Sequence, residues 1–153
     1  MIGATDVANG QSVAKRRWVA GQPGDNEAMN RAAVQKWVAD YERLWRTPGT
    51  ELLAELFAAD ASYLPSPWAP SIQGLDAIAR FWEAERDGPD EEFTMSSDVL
   101  TVDGRTAVVR VLVKYGAAGN RPWRDLWVLR LAQDGRCSSF EEWPFAPDQP
   151  DGH

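Results

Sequence analysis

A chain of 153 residues that is 44% hydrophobic can bury one core and is too short for two ordinary domains. Sixteen Lys and Arg against 23 Asp and Glu leave a net charge of −7, and the one basic cluster, Lys15-Arg16-Arg17, lies in a Gly/Asn/Gln-rich leader. Such a surface repels nucleic acid and anionic membrane, so neither is expected as a partner. One cysteine, Cys137, rules out an internal disulfide, and one histidine, His153 at the end of the chain, leaves Ser-His-Asp triads, Cys-His pairs and the usual zinc sites without their central residue.

Residues 1–28 hold few large apolar side chains and are broken by Gly10, Gly21, Pro23 and Gly24, which predicts a flexible leader. From Arg31 to Arg46, Val34, Trp37, Val38, Tyr41, Leu44 and Trp45 recur at helical spacing until Thr47-Pro48-Gly49 stops them. Thr50 is the expected N-cap of a second, shorter helix carrying Leu52, Leu53, Leu56 and Phe57, and "ASYL" a brief strand ended by Pro65. The loop "PSPWAPSIQG" follows, with Trp68 at its centre, and then a third helix over Leu75 to Arg86. Beyond Pro89 the segments Phe93 to Val102, Thr106 to Tyr115, Trp123 to Leu131 and Cys137 to Trp143 are β-branched and aromatic, with turns between them. Helices followed by an antiparallel meander predict an α+β domain over residues 29–147, with a short tail over 148–153. Three N-terminal helices on a curved, mainly antiparallel sheet would leave a cone with a pocket at its open end. No stretch is apolar enough for a signal peptide or a membrane span, so the expected compartment is the cytosol. No glycine-rich phosphate loop suggests a nucleotide cofactor, and no carboxylate spacing suggests a metal, so neither is assigned.

The order of elements, with "LFAADASYLP", "IQGLDAIARFW" and "DLWVLRLAQDGRCSSFEEWPF", resembles the nuclear transport factor 2-like superfamily and, within it, the SnoaL-like domains, over about residues 30 to 147. The resemblance implies a cone-shaped fold with a pocket. It does not choose among the ketosteroid isomerases, epoxide hydrolases, dehydratases, cyclases and non-catalytic members of that superfamily. Glu142 stands where the similar limonene epoxide hydrolases carry a catalytic carboxylate, and Asp125, after a two-residue slip, near the oxyanion-binding acid of ketosteroid isomerases. Trp37 and Pro65 replace that second family's tyrosine and base, and Leu112 stands where the hydrolases' Arg-x-Asp pattern would need a carboxylate. The specific activities of both families are therefore not expected.

A four-residue turn over Ala132 to Gly135 would pair Leu131 with Arg136, Leu129 with Ser138, Trp127 with Phe140 and Asp125 with Glu142. That face is apolar and should point inward, carrying both carboxylates with it, while Glu141, Trp143 and Cys137 point outward. Two carboxylates about 5 Å apart across a strand pair cannot both ionise cheaply away from water, so one keeps its proton and the pair supplies an acid and a base. Asp125, Glu142 and Tyr41 are thus the catalytic candidates, with Tyr63, Trp68, Tyr115, Trp127, Phe140 and Trp37 as substrate-binding candidates. The expected ligand is a small apolar or aromatic molecule, undergoing isomerisation, dehydration or cyclisation without a cofactor. A non-catalytic binding or interaction domain using the same cone is the alternative. Leu126, Val128 and Trp143, with Arg124 opposite Trp143, would form an outer apolar patch for a homodimer.

Overall fold

The computed structural model describes residues 29–88 and 90–149; the predicted leader over residues 1–28 lies outside them, as does most of the tail. Helix α1 (Arg31–Trp45) begins at Asn30, whose side chain accepts the Ala33 amide at 2.8 Å, and it buries the expected stripe of Val34, Trp37, Val38, Tyr41 and Leu44. Helix α2 is one turn, Leu53–Leu56, without a side-chain cap. Thr50 contributes its carbonyl to the Leu53 amide instead, and Phe57 already belongs to strand β1 (Phe57–Leu64). Two-residue strand β2 (Ile72–Gln73) precedes α3 (Leu75–Glu85), which starts after Gly74 at φ 84°, a left-handed conformation that favours glycine. Strands β3 (Phe93–Asp103), β4 (Thr106–Tyr115), β5 (Arg121–Leu131) and β6 (Cys137–Phe145) complete the chain.

The six strands form one sheet in the order β2-β1-β6-β5-β4-β3. All neighbours are antiparallel except β1 and β6, which run parallel. The strand expected before the third helix is β1; the second strand there, β2, and the parallel docking of β1 beside β6 are announced by no local pattern. The inner face is apolar, as the strict alternation of Ala107, Val109, Val111 and Val113 in β4 predicts, and Arg110 and Lys114 point out to solvent. Arg86 ties the end of α3 to the turn after α1 by donating to the carbonyls of Thr47 at 2.6 Å and Gly49 at 2.9 Å. No helix among the described residues is long and apolar enough to cross a membrane.

The β5–β6 hairpin differs from its predicted register. Leu131 pairs with Cys137, Leu129 with Phe140, Trp127 with Glu142 and Asp125 with Pro144, with a bulge beside Arg130 and Leu131. The extra residue at the bulge is Ser138, whose hydroxyl meets the Arg130 carbonyl at 3.2 Å. Beyond it the offset from the predicted register is two residues, so Phe140 and Glu142 still face inward; before it the offset is one. Cys137 is accordingly buried on the inner side, where burial pushes its thiol up to about 12. On the outer face, Arg124 lies opposite Phe145, and Trp143 opposite Leu126.

Candidate active site

Between α1, α3 and the inner face of the sheet lies a cavity of about 480 Å³. Tyr41 from α1, Tyr63 from β1, Tyr115 from β4, Asp125 and Trp127 from β5 and Glu142 from β6 all line it. Its open end carries the exposed residues Glu85, Asp87, Arg121 and Trp123. Trp45 donates its indole N–H to Glu91 at 2.9 Å, closing one side.

At the bottom the polar groups form a chain. Tyr63 donates its hydroxyl to Glu142 Oε2 at 2.9 Å, so at the 3.2 Å contact between the two tyrosine hydroxyls Tyr41 must be the donor. The carboxyl groups of Asp125 and Glu142 both line the cavity, diagonally across the strand pair and not directly opposite, and are close enough that each shifts the other's proton affinity. Trp127, directly opposite Glu142, lines the cavity beside them. Asp125 is 5% exposed, and its Oδ1 has no hydrogen-bond partner among the described residues; neither has Trp127 Nε1. Both atoms are closed to solvent, and such buried groups are normally paired.

Burial first and the neighbouring Asp125 charge second push Glu142 up to about 8. Burial likewise pushes Asp125 up to about 6, against the opposing effect of the hydrogen bond with Glu142. At neutral pH the pair therefore holds one proton, on the Glu142 side, donated toward an ionised Asp125. Tyr41 and Tyr63 are held well above the ordinary tyrosine value, by burial first and the Glu142 charge second, so both remain hydrogen-bond donors.

Three predicted binding residues lie elsewhere. Trp68 is 98% exposed and outside the cavity: its loop turns back at Ser66–Ala69 and leads into edge strand β2. Trp37 is core, stacked within α1's buried stripe, with its indole N–H donated to the Leu56 carbonyl at 3.0 Å. Phe140 points inward as predicted but packs beneath the rings of Tyr41, Tyr63 and Trp127 at 4.8–5.6 Å. Trp68→Ala should accordingly leave stability within about 0.5 kcal/mol and ligand binding in the cavity unchanged, as thermal unfolding and calorimetry would show. Among cavity residues that the sequence did not single out, Trp123 shares the alternation of Asp125 and Trp127 and could have been found by it. Glu85, Asp87 and Glu91 lie in and after the end of α3, where no periodicity points. Among the described residues no cluster of His, Cys, Asp and Glu is placed to hold a metal ion.

The family model of the SnoaL-like domain matches residues 34–140. The chain belongs to the SnoaL-like family. Solved structures share its fold. A candidate ketosteroid isomerase from Kribbella flavida is 22% identical, with 80% of this chain and 82% of that one covered and a TM-score of 0.60. A candidate polyketide cyclase from Sinorhizobium meliloti is 26% identical, covering 72% and 97%, with a TM-score of 0.56. A steroid delta-isomerase from Pseudomonas aeruginosa is 20% identical, covering 74% and 80%, with a TM-score of 0.55. No curated protein matches the SnoaL-like chain by sequence. The family and the fold follow from these likenesses; a reaction does not.

Proposed function

We propose that this SnoaL-like protein is a cofactor-independent acid–base enzyme acting on a small, largely apolar or aromatic molecule, by isomerisation, dehydration or cyclisation. The observation that carries the reading is the carboxyl pair on the cavity wall: Asp125, 5% exposed, and Glu142 both line the cavity, and burial raises both above the ordinary carboxyl range. A purely structural aspartate would be satisfied by fixed donors. In this reading the Asp125 carboxylate takes a proton from the substrate. Glu142 delivers its own to the atom where charge builds. Tyr63, supported by Tyr41, holds Glu142 in place. The likeness to isomerase and cyclase structures agrees with proton-transfer chemistry without choosing a substrate.

Hydrogen–deuterium exchange tests it directly. Enolisable ketones and β-hydroxy ketones incubated with the protein in D2O should exchange at carbon faster than in buffer, followed by NMR. No acceleration across such a panel, with both carboxyl groups ionised above pH 5 by carbon-13 NMR, would favour the non-catalytic binding domain. Tyr63→Phe is a graded version of the test. Loss of its hydrogen bond, which holds the Glu142 value down, should move the Glu142 limb of the pH–rate profile toward higher pH by about 1, the worth of one hydrogen bond to a charged group.

For assembly we propose a homodimer through the outer sheet face. Leu126 and Trp143 are cross-strand neighbours there, 40% and 38% exposed, with half-buried Val128 beside them and Phe145 49% exposed at the strand end. Light scattering should give a dimer mass that Trp143→Glu reduces to a monomer's; a monomeric parent would refute it.

A further inference from the structure

The cavity wall carries five carboxyl groups and one guanidinium among the described residues. That guanidinium, Arg121, stands at the open end, 3.8 Å from the Asp87 carboxylate and 5.7 Å from the centre of the Tyr115 ring, so its charge is already engaged. Deeper in, the ionisable lining residues are Asp125, Glu142 and Glu91, set among aromatic rings that include Tyr41, Trp45 and Trp127. The negative field is registered by Tyr115, whose hydroxyl is raised by burial and then by Glu91, Glu142 and Asp125 in turn. A neutral ligand filling this space would strip water from the ionised groups and give them nothing in return, and an anion would be repelled. A cation compensates both the charge and the lost hydration, and the ring faces add to its attraction.

We propose that the cavity takes a cationic organic ligand, a protonated amine on a flat apolar skeleton, with its N–H directed at the Asp125 carboxylate. The proposal rests on the reading of this cavity as the ligand site and refines the substrate class within it. It does not depend on turnover. The eight aromatic rings of the lining suit a one- or two-ring skeleton, and the diagonal carboxyl pair sets the position of the nitrogen.

Calorimetry on the full chain at pH 7 with three matched probes decides the matter: 2-naphthylmethylamine, 2-naphthalenemethanol and 2-naphthylacetate. The amine should bind about tenfold more tightly than the alcohol, the scale of one desolvated cation–π or charge contact, and the acid should bind most weakly. Asp125→Asn should reduce the amine's affinity by about tenfold and change the alcohol's by no more than about threefold. If that variant fails to fold, Glu91→Gln, which keeps an acceptor for Trp45, should lower the amine selectively. An alcohol that binds as tightly as the amine overturns the cationic class and leaves the cavity as a ligand site. Failure of all three probes overturns both readings.

Discussion

Glu142→Gln is expected to be more stable than the parent at pH 7 and to have lost its activity. In the folded protein Glu142 keeps its proton up to about pH 8, whereas an unfolded glutamate releases it near about 4.3. Between those values the native state binds more protons than the unfolded state. The stabilisation is therefore complete below the unfolded value and is lost as pH rises toward 8. Glutamine has the shape of the protonated acid: its carbonyl can accept from Tyr63 and its amide can donate to Asp125. A tenfold change in an acid's ionisation constant is worth about 1.4 kcal/mol. Relaxation of the pair reduces the total, so the gain at pH 7 is on the order of 1–3 kcal/mol. Most of it should be lost by pH 4, where the parent's carboxyl is protonated in the native state and largely so in the unfolded state. Without a proton to deliver, turnover should fall by about 10²–10⁴-fold. Denaturant titrations of both proteins at the two pH values, beside the exchange assay, measure all of this. A variant destabilised at pH 7 by about 1 kcal/mol or more would mean that an ionised Glu142 is held by fixed donors, and the binding reading would replace the catalytic one.

Trp82→Ala should have the largest effect on stability. The side chain is 1% exposed on the inner side of α3 and meets Tyr41 and Trp45 with ring centres 4.9 Å apart in each case. Removing it leaves a cavity that the surrounding rings cannot close, at a cost of about 3–5 kcal/mol. Tyr41 would lose its backing, and with it the contact to Tyr63 that supports Glu142. Trp82→Phe separates packing from polarity. The indole N–H has no partner among the described residues, so replacing it with a smaller apolar ring should cost no more than about 1–2 kcal/mol, the lost volume being partly offset by removal of an orphan donor. Thermal unfolding of the two variants distinguishes them, and an alanine variant within about 1 kcal/mol of the parent would contradict this account of the core.

Local periodicity determined much of this protein. The α1 stripe, the third helix and the four long strands are legible because burial repeats every three to four residues in one case and every two in the other. The same alternation put Asp125 and Glu142 on the inner face, and it survived a wrong register because the error beyond the bulge was an even number of residues. Cys137, on the near side of the bulge, was misplaced for the complementary reason. Only the tertiary structure decided which groups meet. The parallel docking of β1 on β6 brings Tyr63 to Glu142 across 79 positions of sequence. The bulge sets Glu142 opposite Trp127 and Asp125 diagonal to it. The path of the proline-rich loop sends Trp68 into solvent, while the end of α3 contributes Glu85 and Asp87 to the cavity's open end. Strand pairing between distant segments, the insertion of one residue in a ladder and the direction of a loop are not encoded in any local repeat; they are settled by how the whole sheet and its helices bury apolar surface together.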